Sequence, residues 1–329
     1  MKESKNVLVT VPVEERYRQR LEEAAPGYVF RCLKPKEVTQ ADVDWAQILL
    51  GNVNPEFLHG APGLRWVQTS SAGVEGYVDA GRLHADTLLT NATGAYGLAI
   101  SEHMLAMLME LQKKLNLYRD AQKTGQWRAQ GAVQSVYGST VLVLGLGDIG
   151  GEFARRCKAL GAYVIGMRRT RHGKPDFVDE ICTEEELDSV LPRADVVAVS
   201  LPGTDKTAGM LSRSRIDSMK PGAVLLNVGR GKIVDTQALC DALESGRLWG
   251  AGLDVTDPEP LPPEHHLWRI PSAVITPHIS GYYHLRATYE RVMDILIGNL
   301  DRFYRGEPLR NQVDRREGYR LERLETQDA

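Results

Sequence analysis

The chain has 329 residues, of which 43% are apolar and 25% are charged, so it is long enough for two compact domains with hydrophobic cores. Its formal net charge of -3 gives no reason to expect nucleic acid as a partner, because nucleic-acid binding requires a basic surface. The spacing of its four cysteines fits neither a disulfide framework nor a zinc site, so we expect reduced thiols and no metal. These cysteines are Cys32, Cys157, Cys182 and Cys240.

The N-terminal residues and the longest apolar stretch indicate where in the cell the protein is located, and the C-terminal residues indicate how the chain ends. The N-terminal residues are charged and lead directly into the strand-like Val7–Val11, without the apolar segment of a signal peptide. The longest apolar stretch contains Glu102 and His103, so we do not expect it to span a bilayer. These features predict a cytoplasmic protein with no membrane partner. Because Asp314–Asp328 mixes charges of both signs, we expect a solvated or frayed tail.

Short apolar runs and helical patterns alternate over the first part of the chain. A helical pattern covers Glu14–Glu23, which together with the strands predicts a small α/β unit. A long helical pattern then runs from about Leu98 to Thr124, and a helix of that length suits a bridge between two domains. The predicted strands are Val7–Val11, Ile48–Leu50, Trp66–Gln68 and Leu88–Thr90.

A second and more regular series begins at the predicted strand Val141–Leu144. Helices are predicted at Gly151–Ala159 and Thr236–Ser245. Continuously apolar strands that alternate with helices imply a parallel sheet covered on both faces. A last amphipathic helix, Arg286–Arg302, is expected to pack back on the first domain and to make that domain discontinuous. The other predicted strands are Tyr163–Met167, Val196–Ser200, Val224–Val228, Gly250–Val255 and Ala273–Thr276.

The first strand of this series ends in the pattern G-x-G-x-x-G, formed by Gly145, Gly147 and Gly150. The first glycine permits a tight turn, the second lets the backbone approach a pyrophosphate, and the third lets the following helix pack on the strand. The N-terminus of that helix, from Asp148 and Ile149 onward, offers N–H groups to phosphates. A glycine-rich turn alone is common, but the order of strand, turn and helix predicts a dinucleotide site.

The next strand ends in a basic turn. Chains that prefer NAD place an acidic residue at this point, where it binds the ribose 2′-hydroxyl. Here the strand is followed by Arg168, Arg169 and Thr170, which can hold a 2′-phosphate by charge-assisted hydrogen bonds. We therefore predict that NADP(H) is preferred and that NAD(H) is possible. The alternative interpretation is a solvated basic turn.

Three further strand ends carry side chains suited to chemistry, at the edge where open α/β sheets bind ligands. Arg230 lies between two glycines and can present a planar fork to a carboxylate. Glu259 lies in a proline-rich loop that fixes its direction, and His278 can transfer protons near neutral pH. Each residue alone also has a structural interpretation, as a solvated arginine, a solvent-facing acid or a packed histidine.

Together these three side chains fit the reduction of a 2-oxo acid by hydride from a nicotinamide. Negative charge develops on the carbonyl oxygen and requires a proton and electrostatic stabilisation. A protonated His278 would supply the proton, and Glu259 would orient the imidazole and favour its protonated form. Arg230 would bind the substrate carboxylate and polarise the carbonyl group.

The chain resembles the D-isomer-specific 2-hydroxyacid dehydrogenases over nearly its whole length, a family that includes glyoxylate/hydroxypyruvate reductases, D-lactate dehydrogenases and phosphoglycerate dehydrogenases. The resemblance implies an α/β fold with two Rossmann-like, doubly wound parallel-sheet domains. Residues 98–284 would form the dinucleotide-binding domain, inserted in a discontinuous substrate domain of residues 1–97 and 285–329. It also implies a homodimer formed through the long bridging helix. The motifs are Ser71-Ala72-Gly73-Val74, Asn91-Ala92-Thr93-Gly94, Ser101-Glu102-His103, Gly145–Gly150, Asn227–Gly231, Leu253–Pro260 and Thr276-Pro277-His278.

The resemblance implies roles for individual residues. Arg230, Glu259 and His278 would be catalytic, and Asp254 would contact the nicotinamide carboxamide. Glu102, His103 and Asn91 belong to the hinge and dimer region of such enzymes, which implies structural roles. The substrate would be bound by Ala72, Gly73, Val74, Arg230 and His278. Further cofactor contacts are predicted for Leu201, Pro202, Thr207, Val228, Gly229, His278 and Gly281.

These observations predict an NADPH-dependent reductase that converts a small 2-oxo acid, such as glyoxylate or hydroxypyruvate, to the D-2-hydroxy acid. One alternative is an NAD-dependent D-2-hydroxyacid dehydrogenase that acts on a different acid. Another is a cofactor-sensing binding protein similar to the dehydrogenase-like transcriptional corepressors. A third alternative is oxidation of formate or phosphite, of which formate is disfavoured because Glu259 stands where the formate branch of the family carries an amide.

Overall fold

The computed structural model describes residues 4–171 and 173–320. Within this part the chain forms two compact units, one of residues 4–96 with 283–320 and the other of residues 97–282. Among the described residues, no helix combines the length and the apolar character needed to cross a membrane. The first unit is discontinuous in sequence, since its two segments flank the whole of the second.

A five-stranded parallel sheet forms the centre of the first unit, in the order β2-β1-β3-β4-β5. The central strand β3 is completely buried, whereas the edge strand β2 is partly exposed. Strand β2 was not predicted, because Arg31 interrupts its apolar run. The elements are β1 (Asn6–Val9), α1 (Glu15–Ala24), β2 (Val29–Cys32), α2 (Gln40–Trp45), β3 (Ile48–Leu50), β4 (Trp66–Gln68) and β5 (Leu88–Thr90).

The second unit begins with two helices and contains a seven-stranded parallel sheet. Its elements are α3 (Gly97–Lys113), α4 (Leu115–Lys123), β6 (Thr140–Leu144), α5 (Asp148–Ala159), β7 (Tyr163–Met167), β8 (Glu180–Cys182), α6 (Leu187–Val190), β9 (Val196–Val199), α7 (Arg213–Ser218), β10 (Val224–Asn227), α8 (Thr236–Glu244), β11 (Gly250–Leu253) and β12 (Ala273–Ile275). The strand order is β12-β11-β10-β9-β6-β7-β8, so the chain reverses its direction of winding between β6 and β9. Open α/β sheets bind ligands at such a reversal, beyond the carboxyl ends of the strands. The predicted doubly wound α/β class is confirmed.

The helical pattern predicted as one helix from Leu98 to Thr124 is two helices, so that prediction was wrong. The break is at Lys114, whose φ of 57° lies in the left-handed region. Its ammonium group donates a hydrogen bond to the Gln130 carbonyl at 2.7 Å and lies 4.8 Å from the centre of the Trp249 ring. These contacts stabilise a conformation that a lysine rarely adopts.

The chain ends in the first unit with α9 (Arg286–Arg305), β13 (Val313–Asp314) and β14 (Tyr319–Arg320). Helix α9 packs on α1, where Tyr289 donates to the Pro12 carbonyl at 2.8 Å and meets the Tyr17 ring edge-on. Strands β13 and β14 pair as an antiparallel hairpin. The prediction of a frayed tail from Asp314 onward was therefore wrong for residues 314–320, and the remainder of that segment lies outside the described residues.

Candidate active site

The glycine loop after β6 has the geometry of a dinucleotide turn. Gly145 has a φ of 96°, which permits the tight turn. A Cβ atom at Gly150 would lie 1.9 Å from the Gly145 carbonyl oxygen, so only glycine lets α5 pack against the turn. A Cβ at Gly147 would meet no atom within 4 Å. The backbone at Gly147 is therefore open to the approach of a ligand.

Helix α5 begins directly at this loop, three residues earlier than predicted, with Asp148 in its first turn. The Asp148 carboxylate accepts a hydrogen bond from the Gly97 N–H at 2.8 Å, which joins the start of α3 to the start of α5. Because the first N–H groups of a helix have no intrahelical acceptor, those of Asp148 and Ile149 can bind phosphate. The predicted contribution of Asp148 to a cofactor site is thus assigned to its backbone.

The basic turn lies next to the glycine loop, because the Gly145 N–H donates to the carbonyl of Met167, the last residue of β7, at 3.3 Å. Arg168 follows and donates to the Gly173 carbonyl at 2.7 Å, which closes the turn. Arg169 and Thr170 are exposed. Arg171, which is also exposed, donates to the Ile181 carbonyl at 3.1 Å and pairs with Glu186. The guanidinium of Arg171 is therefore held by protein acceptors.

The turn after β9 lies on the other side of the glycine loop. A Cβ at Gly145 would lie 3.1 Å from the Leu201 side chain, and one at Gly229 would lie 2.6 Å from the Leu201 carbonyl oxygen. Thr207 is 9% exposed, and its hydroxyl donates to the Pro202 carbonyl at 2.6 Å. Thr207 thus holds Pro202 in this turn. The structure brings Leu201 beside Gly145 and beside Gly229, the residue after Val228.

The turn after β10 presents Arg230 at the same edge of the sheet. Asn227 is 1% exposed; its side chain accepts from the Gly229 N–H at 3.0 Å and donates to the Arg230 carbonyl at 2.9 Å. The guanidinium of Arg230 donates to the Gly229 carbonyl at 2.7 Å. A Cβ at Gly231 would lie 2.0 Å from the Thr256 carbonyl oxygen. The Arg230 turn is therefore packed against the loop that follows β11 and carries Glu259.

The structure brings Glu259 and His278 into direct contact. His278 Nδ1 lies 2.6 Å from Glu259 Oε1, and the two side chains are 45% and 39% exposed. Since a carboxylate accepts hydrogen bonds, this contact places the Nδ1 proton of His278 against Glu259. His278 Nε2 is then the ring nitrogen available to a ligand. Arg230 follows β10, and β11, whose following loop carries Glu259, lies between β10 and β12, the strand that precedes His278.

Asp254, 1% exposed, organises the segment that carries His278. Its carboxylate accepts hydrogen bonds from the Thr276 hydroxyl at 2.6 Å, the Ile279 N–H at 2.9 Å, and the N–H and hydroxyl of Ser280. Its carbonyl accepts from the His278 N–H at 2.8 Å. The Asp254 carboxylate thus binds donors from Thr276, Ile279 and Ser280, and Gly281 directly follows this segment. The contact of Asp254 with a nicotinamide stays a prediction.

In the first unit, a separate network holds the loop predicted to bind a substrate carboxylate. Asn52 accepts from the Ser70 N–H at 2.8 Å and donates to the Ser71 hydroxyl at 3.0 Å. The Ser71 hydroxyl donates to the Gly73 carbonyl at 2.7 Å, and the Asn91 side chain donates to the Ala72 carbonyl at 2.7 Å. The loop that ends at Val74, itself buried, is therefore fixed by side chains.

Tyr96 is a further buried member of that network. Its hydroxyl donates to the Ser70 carbonyl, and burial raises the pKa of Tyr96 above its usual value. The phenol therefore stays protonated and remains a donor at neutral pH. Sequence reasoning missed both Tyr96 and Asn52, since neither belongs to a recognisable motif.

Sequence reasoning also missed the residues that support the His278 segment and the Arg230 turn. Thr276, Ser280 and Asn227 lie within or beside quoted motifs, but only the fold shows that they orient the turns. His103 was assigned to a structural region, yet its Nε2 lies 3.0 Å from the Thr276 hydroxyl oxygen. One signal in the sequence indicated that His103 faces the protein interior, because His103 shares a helix face with the buried Ile100 and Met107.

Comparison with known proteins identifies the family. The model of the D-isomer specific 2-hydroxyacid dehydrogenase NAD binding domain matches residues 105–280. The chain belongs to the D-isomer-specific 2-hydroxyacid dehydrogenase family. The resemblance noted from the motifs is confirmed, and so is the class of enzyme, an NAD(P)-dependent D-2-hydroxyacid dehydrogenase.

Three relatives span most of the chain. The glyoxylate reductase of Pyrococcus furiosus is 31% identical over 279 residues, which cover 81% of this dehydrogenase and 81% of the relative. A family member from Aeromonas salmonicida subsp. salmonicida A449 is 33% identical, with a TM-score of 0.83 and coverage of 95% and 100%. The D-isomer specific 2-hydroxyacid dehydrogenase of Xanthobacter autotrophicus Py2, in complex with NADPH and MES, is 28% identical, with a TM-score of 0.80 and coverage of 96% and 100%.

Proposed function

We propose that this dehydrogenase reduces a small 2-oxo acid, with glyoxylate and hydroxypyruvate as the leading substrates, to the D-2-hydroxy acid at the expense of NADPH. The observation that carries the proposal is the contact of 2.6 Å between His278 Nδ1 and Glu259 Oε1. It fixes the imidazole beyond the end of β12, two strands from β10, which the turn of Arg230 follows. An acid, its orienting carboxylate and a carboxylate-binding cation are the groups that carbonyl reduction requires.

The residues around the glycine loop fit a dinucleotide. Gly147 leaves open space where a side chain would stand, and the first turn of α5 offers N–H groups to a pyrophosphate. Arg168, Arg169 and Thr170 would hold the ribose 2′-phosphate at the end of β7. When bound, the nicotinamide cofactor supplies the hydride for the carbonyl carbon.

The protein side chains have separate tasks in the reduction. Arg230 binds the substrate carboxylate and stabilises the negative charge that develops on the carbonyl oxygen. His278 donates the proton at Nε2 to that oxygen, so that the carbonyl becomes a hydroxyl group. Glu259 accepts a hydrogen bond from the Nδ1 proton of His278, so that this proton stays on the ring. The same hydrogen bond holds the ring in one orientation before and after the proton transfer.

The predicted roles of Ala72, Gly73 and Val74 extend the proposal to the first unit. Their loop is held by Asn52 and Asn91, which supports a role for its backbone in binding the substrate carboxylate. The substrate class itself is supported by the glyoxylate reductase of Pyrococcus furiosus, and the cofactor by the NADPH-bound relative from Xanthobacter autotrophicus.

A panel of 2-oxo acids assayed with NADPH and with NADH tests this function. We expect oxidation of NADPH with glyoxylate or hydroxypyruvate, faster than with bulkier 2-oxo acids, and formation of the D-product. The His278→Asn variant provides the inactive control. A protein that binds NADPH but oxidises neither cofactor with any acid would instead be a cofactor-sensing binding protein.

Cofactor choice is tested by Arg168→Asp. We expect the affinity for NADPH to fall about 10- to 100-fold, because a charge-assisted contact with the 2′-phosphate is replaced by repulsion, while the affinity for NADH changes little. Fluorescence titration with both cofactors measures the change. Arg171→Asp is the matched control, since Arg171 is held by Glu186 and the Ile181 carbonyl and should affect the NADPH/NADH ratio less. Equal losses for both cofactors in Arg168→Asp would contradict the assignment.

We also propose that the dehydrogenase forms a homodimer through residues 115–137. This segment of the second unit exposes five large apolar side chains, and such clusters mark interfaces. We expect Trp127→Ser to shift the dimer toward monomer in sedimentation experiments, with Trp268→Ser as the control outside the segment. A monomeric wild type, or a dimer unaffected by Trp127→Ser, would contradict the proposal. The exposed side chains are Leu115, Tyr118, Trp127, Val133 and Tyr137.

A further inference from the structure

His103 lies on α3, in the second unit, next to the segment that carries His278. Its side chain is 25% exposed, and its Nε2 lies 3.0 Å from the Thr276 hydroxyl oxygen and 3.9 Å from Asp254 Oδ1. The preceding residue, Glu102, lies 3.8 Å from the guanidinium of Arg156. Of these two neighbouring side chains, it is therefore His103 that reaches the Asp254 network.

The direction of each hydrogen bond in this group follows from the chemistry of the donors. The Thr276 hydroxyl has one proton and lies 2.6 Å from Asp254 Oδ1, which can only accept while it is ionised. Thr276 therefore donates to Asp254 and must accept from His103. His103 consequently carries a proton on Nε2, and the chain of donors runs from His103 through Thr276 to Asp254.

Asp254 in turn fixes the backbone of His278 and of the two residues that follow it. It accepts from the Ile279 N–H at 2.9 Å, from Ser280, and, through its carbonyl, from the His278 N–H at 2.8 Å. His278 has a φ of 51°, in a region that few residues other than glycine occupy. Such a conformation persists only where surrounding contacts determine it.

We propose that His103 is a positioning residue for the proton donor. It orients the Thr276 hydroxyl toward Asp254, and Asp254 holds residues 278–280 so that the His278 ring meets Glu259 at 2.6 Å. The inference rests on the proposed function, in which His278 donates the proton to the substrate. His103 itself does not touch the reacting atoms in this scheme.

Paired substitutions in the full-length protein test the role of His103. We expect His103→Leu and Thr276→Val, which remove a hydrogen bond, to lower kcat at least about tenfold, because a small displacement of a reacting group has a large effect on rate. The KM for NADPH should change less than about twofold, since the glycine loop is untouched. We expect His103→Gln and Thr276→Ser to recover most of kcat, because each retains a donor near the original atom.

The control on the same helix is Glu102→Gln, for which we expect wild-type kcat. A His103→Leu protein with wild-type kcat, or a His103→Gln protein as impaired as His103→Leu, would overturn the proposal. Thermal melting and NADPH binding are measured for every variant. If His103→Leu fails to fold, the Thr276→Val and Thr276→Ser pair decides the question by the same criterion of loss and recovery.

Nitrogen NMR of the imidazole provides a readout that does not depend on turnover. We expect the wild-type protein at neutral pH to show His103 with a proton on Nε2, and Thr276→Val to change that resonance more than the resonances of the other histidines. An unprotonated Nε2 would overturn the proposal. A wild-type protein that shows the expected resonance but reduces no 2-oxo acid would contradict the proposed function and leave the hydrogen-bond chain supported.

Discussion

The His278→Asn variant is expected to lose about 10²- to 10⁴-fold in kcat for 2-oxo acid reduction, which is the contribution typical of a general acid. Asparagine is the informative replacement because it tolerates positive φ, so the backbone at 51° can be kept. Its amide can form hydrogen bonds but cannot supply a proton at neutral pH. The variant thus removes the general acid, the His278 imidazole, and leaves the backbone conformation of the segment that Asp254 holds unchanged.

Stopped-flow reduction assays with saturating NADPH measure this loss. The affinity for NADPH, titrated by fluorescence, should stay within about twofold of the wild type if the variant affects the chemical step alone. Glu259→Gln should have a smaller effect on kcat, because the ring keeps a hydrogen-bonding partner while the carboxylate charge is lost. A His278→Asn enzyme that retains more than about a tenth of wild-type kcat would contradict the role of His278 as the acid.

The Gly150→Ala variant is expected to be strongly destabilised. Its Cβ atom would lie 1.9 Å from the Gly145 carbonyl oxygen and 2.5 Å from the Ser200 hydroxyl, so the start of α5 must move away from β6. Overpacking of this kind destabilises proteins by about 1–3 kcal/mol, and more where backbone atoms are displaced. We expect urea denaturation to show a reduced free energy of unfolding, accompanied by loss of dinucleotide binding.

Gly147→Ala is the matched control within the same loop. Its added methyl group meets no protein atom within 4 Å, and the φ of -73° is available to alanine. We expect the free energy of unfolding to change by less than about 0.5 kcal/mol, as for substitutions that disturb no packing. The affinity for NADPH should nevertheless fall, because the methyl group occupies space that a pyrophosphate would use. Equal stability of Gly150→Ala and the wild type would contradict the packing argument.

Much of the fold could be predicted because the central strands of the second unit are buried on both faces. Strands β6, β9 and β10 are almost entirely apolar runs of four or five residues, as expected for strands of a parallel sheet that is covered on both faces. Strand β8 was missed because the acidic residues Asp179 and Glu180 interrupt its apolar pattern. The break between α3 and α4 was missed because a lysine in the left-handed region has no sequence signature.

In the candidate site, the side chains proposed to act on the substrate were predicted, whereas most of the side chains that hold them in place were not. Arg230, Glu259 and His278 could be singled out because each follows a recognisable strand, where ligands bind in open α/β sheets. The side chains that hold them could not, because their contacts join distant parts of the chain. His103 and Thr276 are 173 residues apart in sequence, and no local pattern connects them.

The close contacts at Gly229 and Gly231 limit how this enzyme can change. The Arg230 turn lies against the Leu201 carbonyl on one side and the Thr256 carbonyl on the other, at distances that leave no room for a side chain on either glycine. The turns of the second unit are therefore interlocked through main-chain atoms, and replacing one of these glycines would disturb its neighbours as well. Adaptation to a new substrate would accordingly have to proceed through side chains that project from this frame, such as the exposed Ile279 and Tyr282, and leave the frame itself intact.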